Sequence, residues 1–294
     1  MKRATKDTLA GKRYLDLQRL AKRSGRPTDE LIQLYALECF LDRLAHSEFA
    51  DHFILKGGVL LAALDARRPT RDIDLATGVL ENSAETILAV VKKIADTPID
   101  DGVKFESGRA TAEVIREDAD YSGIRVTLSG VLSRAVVRLH VDVNIGDPIW
   151  PEPQQISLPR LLRGVLAVRG YPLEMVLAEK LVTALQRGTA NTRWRDFLDV
   201  YVLITRHSVE AGTMRSSMQR VAQHRGIGLI PLGSLLADYP QIAQQRWSTW
   251  LRKQRLDAVP TEFSAVLEMV ISFADEIITN DALKSWEPSE RKWR

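Results

Sequence analysis

Cysteine and long apolar runs are scarce in this sequence. Cys39 is the single cysteine and lies in an apolar helical pattern, so one chain forms neither a disulfide framework nor a cysteine metal site. No signal-like apolar segment follows the basic start, and three acidic residues interrupt the longest apolar stretch, near residues 263–278. These absences exclude a disulfide scaffold and a membrane protein, and we expect a cytoplasmic protein.

The composition is typical of a folded globular protein. The chain has 294 residues, of which 45% are apolar and 27% carry charges of mixed sign. Single hydrophobic cores stop growing near this size, and Pro148, Pro151 and Pro153 interrupt the pattern near the middle of the chain. We therefore predict two lobes, residues 1–155 and residues 156–294.

Basic residues are concentrated at the N-terminus, although the formal net charge is only +3. They face only Asp7 and Asp16 as counter-charges, and they are Lys2, Arg3, Lys6, Lys12, Arg13, Arg19, Lys22, Arg23 and Arg26. Such a cluster suits contact with a polyanion such as RNA. A solvated helix face is the alternative interpretation.

Hydrophobic periodicity predicts an α/β first lobe. We expect helices at 28–46, 59–64 and 84–95, and strands at 53–55 and 71–76. High β-branched content predicts a largely antiparallel set of strands at 103–106, 111–115, 124–128 and 135–145. The second lobe reads as helical, at 173–186, 194–205, 213–224, 241–252 and 263–280.

The first candidate site is a pair of aspartates that follows a glycine turn. Asp72 and Asp74 lie two apart on a predicted strand, so both carboxylates point to the same face. Adjacent like charges favour a divalent cation, and Mg²⁺ binds oxygen ligands. Upstream, Gly57 and Gly58 would offer backbone N–H groups to a triphosphate.

Three further elements carry candidate residues. Asp142 interrupts an apolar strand and is a candidate third metal ligand, although residues 140–144 are also the ordinary polar face of a half-exposed strand. Lys180 on a predicted helix has the reach to bind triphosphate oxygens, or it forms a plain surface ion pair. Asp196 and Asp199 lie three apart on one helical face.

Four short motifs in this order resemble the AbiEii/AbiGii-type family of nucleotidyltransferase toxins, which includes the Men-type toxins of type IV toxin–antitoxin systems. The motifs span about residues 50 to 205 and are Leu55-Lys56-Gly57-Gly58, Arg71-Asp72-Ile73-Asp74, Ala178-Glu179-Lys180-Leu181 and Arg193-Trp194-Arg195-Asp196-Phe197-Leu198-Asp199. Four motifs in the right order arise by chance far less often than one.

The resemblance implies a DNA polymerase β-like core with a mixed sheet and a helical C-terminal lobe. It implies a Mg²⁺ or Mn²⁺ cofactor on Asp72 and Asp74, with Asp142 as the less certain third ligand. Its catalytic residues would be Asp72, Asp74, Lys180, Asp196 and Asp199, and its nucleotide-binding residues Lys56, Gly57, Gly58, Lys180 and Arg193. The wider superfamily often has Gly-Ser where this chain has Gly57-Gly58, so backbone donors replace a hydroxyl here.

The implied function is transfer of a nucleoside monophosphate from a nucleoside triphosphate to RNA, at the 3′ end of transfer RNA, which blocks translation. A cognate antitoxin protein is the implied partner. The sequence leaves two alternatives open. In the first, the acceptor is a hydroxyl of a protein or a small molecule. In the second, the chain is an inactive module that binds nucleotide or RNA.

Overall fold

The computed structural model describes residues 6–118, 121–254 and 259–294. The chain divides into two units. The first comprises Met1–Asp147 and Pro153–Tyr171, and the second comprises Pro148–Glu152 and Pro172–Arg294. None of the described helices combines the length and the apolar character that a membrane span requires.

The first unit combines one large sheet with helices. The helices are α1 (Leu9–Ser24), α2 (Thr28–Ala45), α3 (Gly57–Leu60) and α4 (Ala84–Ala95). The strands are β1 (Ile54–Lys56), β2 (Asp72–Thr77), β3 (Val103–Phe105), β4 (Thr111–Asp118), β5 (Tyr121–Leu132), β6 (Ala135–Ile145), β7 (Gln154–Pro159) and β8 (Val165–Gly170). A 3₁₀ turn, Leu61–Leu64, continues α3.

The sheet is mixed. Its strand order is β3-β5-β6-β2-β1-β8-β7, and β4 also pairs with β5. The pairs that β5 forms with β3, β4 and β6 are antiparallel, whereas β2 lies parallel to β6 and β1 parallel to β8. The prediction of a mixed α/β fold is confirmed.

Alternation along the central strands separates the core from a polar face. Ile73 and Leu75 of β2 are fully buried, and Val141 and Val143 repeat the pattern on β6. Successive side chains of a strand point to opposite faces, so the polar residues between these four share the other face. That face carries the candidate aspartates.

Two parts of the first unit differ from the prediction. Residues 9–24 form a helix, α1, where the sequence suggested only a basic leader. Strands β7 and β8 lie in the sheet of the first unit, whereas residues 156–294 were predicted as a mainly helical lobe. The pairing of Leu55 with Gly170 joins β8 to β1, and local periodicity carries no signal for a contact of that sequence separation.

The second unit is mainly helical. Its helices are α5 (Leu173–Arg187), α6 (Trp194–Ile204), α7 (Ala211–His224), α8 (Tyr239–Gln254) and α9 (Phe263–Thr279), all close to the predicted ranges. A small sheet joins β9 (Val209–Glu210), β10 (Ser285–Glu287) and β11 (Lys292–Trp293). Buried aromatic side chains pack between α6, α8 and α9, among them Phe197, Tyr239, Trp247 and Phe263.

Candidate active site

Four charged side chains form a row across the sheet of the first unit, which we term the charged row. Lys56 on β1 lies opposite Asp74 on β2, and Asp74 neighbours Asp142 on β6. Arg125 on β5 lies opposite Asp142. Cross-strand partners point to one face of the sheet. Two carboxylates therefore lie side by side, with one cation at each end of the row.

Arg125 holds Asp142 through both carboxylate oxygens. Its Nε donates to Oδ1 at 2.8 Å and its terminal nitrogen donates to Oδ2 at 2.6 Å. The hydrogen bond to Asp142 is the main cause that raises the pKa of Arg125 above its usual value. Asp142 is 6% exposed and the Arg125 side chain is 31% exposed, so the ion pair is shielded from water only on the side of the carboxylate.

The glycine turn packs against Asp74. Gly57 has a φ of 65°, and an added Cβ there would lie 1.9 Å from Oδ2 of Asp74. The N–H of Gly58 donates to the same oxygen at a distance of 3.4 Å. Glycine at position 57 is thus required twice, by the left-handed backbone conformation and by the close approach of the carboxylate.

Repulsion within the charged row acts on Asp74. Burial raises the pKa of Asp74, and the neighbouring charges of Asp142 and Asp72 add to this effect, so that the pKa reaches about 6. Lys56 and the Gly58 N–H act in the opposite direction. An ionised Asp74 therefore costs free energy in this position, and a cation bound beside it would remove that cost.

Asp72 lies two residues before Asp74, on the same face of β2. It pairs across the parallel strands with His140, whose Nδ1 lies 2.9 Å from Oδ1 of Asp72. The Asp72 side chain is 39% exposed. Asp72 is therefore the more accessible member of the predicted metal pair.

Lys56, a predicted nucleotide-binding residue, is buried beside other groups of the first unit. Its Nζ lies 2.9 Å from Oδ2 of Asp147 and 5.6 Å from the centre of the Tyr171 ring. Lys56 is 8% exposed. This arrangement fixes its charge at the end of the row, and the role in nucleotide binding stays a prediction.

The carboxylates of this face suit a divalent cation in part. Asp72 and Asp74 supply two oxygen ligands from one strand, and Mg²⁺ in proteins is usually bound by one or two carboxylates together with waters and substrate phosphates. In the part of the chain that the structure describes, no group of three or more histidine, cysteine or acidic side chains is placed to hold one ion. Asp142 is engaged by Arg125, so its role as third ligand stays a prediction.

The downstream motifs lie in the second unit. Lys180 on α5 donates to Oδ1 of Asp196 and to Oδ2 of Asp199, both at 2.8 Å. Asp199 is 3% exposed. Arg193 immediately precedes α6, and its N–H donates to the side chain of Asn191 at 2.7 Å. These contacts bring Lys180, Asp196 and Asp199 together, and the roles of all four residues in triphosphate binding and catalysis stay predictions.

Arg125 is the residue of this face that sequence reasoning missed. A signal for it exists in the hairpin of β5 and β6, whose two-residue turn is Ser133-Arg134. Counting seven residues outward from each of Leu132 and Ala135 brings Arg125 opposite Asp142. The turn lacks the usual Asn-Gly or Asp-Gly signature, so the sequence did not fix the register.

The electrostatics of Asp74 lead to a stability prediction. Its raised pKa means that the folded state gains stability below about pH 4 that it loses as the pH rises to about 6. The rise from 3.8 to about 6 corresponds to at most about 3 kcal/mol. We expect about half of this, because Asp74 keeps some exposure to solvent.

Asp74→Asn should therefore melt about 2–6 °C above the unsubstituted protein in metal-free buffer at about pH 7.5, and with no difference at about pH 4. Circular dichroism melts measure this, with the exposed Asp100→Asn as control for the loss of one negative charge. A melting point of Asp74→Asn at or below that of the unsubstituted protein at about pH 7.5 would show that Asp74 is not under electrostatic strain.

Lys180 should contribute to the stability of the second unit. Lys180→Met removes the ammonium that two carboxylates share, and we expect a loss of about 1.5–3 kcal/mol, the range for hydrogen bonds to charged groups. Urea unfolding measures the change, with the exposed Lys284→Met as control. If Lys180→Met unfolds at the same urea concentration as the control, the contacts to Asp196 and Asp199 contribute nothing to the free energy of unfolding.

We compared the chain with known protein families, protein sequences and solved structures. A sequence model of the family described as nucleotidyl transferase AbiEii toxin, type IV TA system, matches residues 39–269. Curated protein sequences yield no match. Among solved structures, the chain is similar to JHP933 from Helicobacter pylori, at 16% identity and a TM-score of 0.45, over 82% of this chain and 90% of that one.

It is also similar to a Helicobacter pylori protein provisionally described as a nucleotidyltransferase, at 16% identity and a TM-score of 0.48, over 86% of this chain and 97% of that one. The family match covers well over half of the chain and contains all four motifs, so the resemblance predicted from them is confirmed. The chain belongs to the AbiEii family of nucleotidyl transferase toxins of type IV toxin–antitoxin systems.

Proposed function

We propose that this nucleotidyltransferase moves a nucleoside monophosphate from a nucleoside triphosphate to the 3′ end of an RNA, with transfer RNA as the acceptor. The observation that carries the proposal is the pair of carboxylates on β2, with the Gly57-Gly58 turn packed directly against Asp74. An acceptor of this kind would place the protein in the cytoplasm, and the type IV system of the family implies an antitoxin as its partner.

The proposed reaction is a single displacement at phosphorus. The 3′-hydroxyl oxygen of the RNA forms a bond to the α-phosphorus, and the bond from that phosphorus to the bridging oxygen of the β-phosphate breaks. The hydroxyl proton passes to a carboxylate of this face, and pyrophosphate leaves with the electron pair of the broken bond. The RNA grows by one nucleotide, which would block its aminoacylation.

Asp72 and Asp74 would hold Mg²⁺ or Mn²⁺ in this site. A divalent cation there supplies Lewis-acid chemistry that lowers the pKa of a hydroxyl and neutralises phosphate charge. The residues of the chain keep these ligands in place. Gly57 allows Asp74 its position, His140 orients Asp72, and Arg125 fixes Asp142 beside them.

RNA is favoured over a protein or small-molecule acceptor because of the basic N-terminal region. Positive charge along a surface suits a phosphate backbone, which neither rival acceptor has. Of the basic residues that supported this prediction, Lys2 and Arg3 lie outside the described residues, and the others belong to α1 or its flanks.

The test is a transfer assay with total transfer RNA, Mg²⁺ and each α-³²P-labelled nucleoside triphosphate in turn. We expect label on RNA from the unsubstituted protein, and a rate at least about 100-fold lower from Asp72→Asn and from Asp74→Asn. Chelation of the cation should stop the reaction. Transfer RNA whose terminal diol has been oxidised with periodate should accept no label, because its 3′-hydroxyl is gone.

Three other outcomes of the transfer assay would each contradict part of the proposal. Label on protein would replace the RNA acceptor by a protein hydroxyl. Label on periodate-treated RNA would overturn transfer to the 3′ end. If no acceptor is labelled although calorimetry shows binding of the triphosphate with Mg²⁺, the RNA transfer proposal fails and a small-molecule acceptor or an inactive binding module takes its place.

The glycine turn gives a second, geometric test of the site. Gly57→Ala forces a methyl group into the space of the Asp74 carboxylate, and displacements of about 1 Å at a reacting centre cost about 100-fold in rate. Gly78→Ala is the matched control, since an added Cβ at Gly78 meets nothing within 4 Å. We expect transfer at about 1% of the normal rate from Gly57→Ala and a normal rate from the control. Normal transfer by a folded Gly57→Ala protein would show that the position of Asp74 is not critical.

A further inference from the structure

The first unit contains a cavity of about 400 Å³ bounded by α1 and the turn between β7 and β8. Arginine and lysine side chains form most of its wall, namely Arg13, Arg19, Lys22, Arg23 and Arg163. The leucines at 20, 161 and 162 form the apolar part. None of the lining residues in the described part of the chain belongs to the charged row or to β2.

The charge of this cavity is largely uncompensated. Asp16 is the one acidic side chain among the described lining residues, and it pairs with Arg19 on the next turn of α1. No carboxylate of the described residues forms an ion pair with Arg13, Lys22, Arg23 or Arg163. The Nε of Arg13 is buried without a hydrogen-bond partner among the described residues. An anionic ligand would pair with the exposed cations of Lys22, Arg23 and Arg163.

Both walls of the cavity are fixed by contacts elsewhere in the unit. On α1, Tyr14 and Leu17 are buried, and the Tyr14 hydroxyl accepts a hydrogen bond from Arg134 at 2.9 Å. On the turn, the Leu161 N–H donates to the buried carboxylate of Glu38, and Arg160 donates to Asp42 at 2.6 Å. The basic groups are therefore presented by a preformed surface, which lowers the entropic cost of binding.

The spread of the charges distinguishes a polyanion from a mononucleotide. Arg13 and Arg23 are ten residues apart on one helix, which corresponds to about 15 Å. A helical nucleic-acid strand carries one phosphate per about 3.4 Å of its axis, so this distance spans about four phosphates. A triphosphate concentrates its charge over a much shorter distance. The described lining residues include no aromatic side chain, so base stacking plays no part in this contact.

We propose that this cavity docks the sugar–phosphate backbone of the RNA acceptor at a place separate from the carboxylates that carry the chemistry. The inference rests on the proposed function in taking RNA as the acceptor. The new content is the location of the RNA contact on α1 and the β7–β8 turn, and its restriction to backbone phosphates. Contacts to phosphates alone are independent of sequence, so this docking selects the shape and charge of the RNA and not its bases.

The test compares two triple variants of equal charge. Lys22→Gln, Arg23→Gln, Arg163→Gln neutralises three exposed groups of the cavity. Lys93→Gln, Lys104→Gln, Arg109→Gln neutralises three exposed groups of the same unit that do not line it. Fluorescence anisotropy with labelled transfer RNA, without nucleotide, gives the dissociation constant at salt concentrations between about 50 and 200 mM.

We expect the cavity variant to bind transfer RNA about tenfold or more weakly, and its plot of log affinity against log salt to be less steep by about 2, since each lost phosphate contact removes about 0.7. The control variant should bind like the unsubstituted protein. In the transfer assay, the KM for RNA should rise in the cavity variant while the KM for the triphosphate stays unchanged.

Failure of this inference differs from failure of the proposed function. If the unsubstituted protein labels RNA and both triple variants bind RNA with equal affinity and equal salt dependence, transfer to RNA stands and the docking site is overturned. If the cavity variant retains RNA binding but loses binding to polyglutamate, the cavity accepts an acidic protein surface, which also overturns the inference. If no RNA is labelled, the binding measurement still decides whether the cavity docks RNA.

Discussion

The candidate site depends on two neighbouring carboxylates, Asp74 and Asp142, that the sheet holds side by side. Parallel pairing of β2 with β6 brings the two carboxylates into one cross-strand position, where burial and the neighbouring charge make an ionised Asp74 costly. Three neighbouring groups lower the free-energy cost of these two charges. Arg125 neutralises Asp142 from the neighbouring strand, Lys56 lies at the other end of the row, and the Gly58 N–H donates to Asp74. A stable apolar sheet would need none of these contacts, which is why we propose this face as the active site.

Local patterns in the sequence were sufficient for most of the helices and strands and for the relative placement of Asp72, Asp74 and the glycine turn. The two-residue spacing of Asp72 and Asp74 fixes their common face, and the glycine pair announces the turn before them, since both signals lie within one short segment. The helices of the second unit follow from periodicity alone. Strands β7 and β8 were missed because their place in the sheet depends on a pairing with β1, more than a hundred residues away in the chain.

The contacts that could not be predicted depend on the register between strands that are far apart in the sequence. Arg125 becomes part of the site only through the register of the β5–β6 hairpin, and His140 meets Asp72 only through the parallel pairing of β2 with β6. The basic N-terminal residues were predicted to contact a polyanion, which stays a prediction, and their grouping depends on α1 facing the turn at residues 160–164. Spacing predicts which residues share an element, and pairing decides which elements share a site.

Arg125 competes with a metal ion for Asp142, because its bidentate contact uses both oxygens of that carboxylate. A guanidinium already occupies both oxygens of the carboxylate that a third ligand position would need. Any ion that recruits Asp142 must displace a group held at high local concentration by the chain itself, so only an ion that arrives with the additional charge of a triphosphate has the advantage. Asp72 and Asp74 would then be open to a cation at all times, whereas Asp142 would join them only when the nucleotide is present.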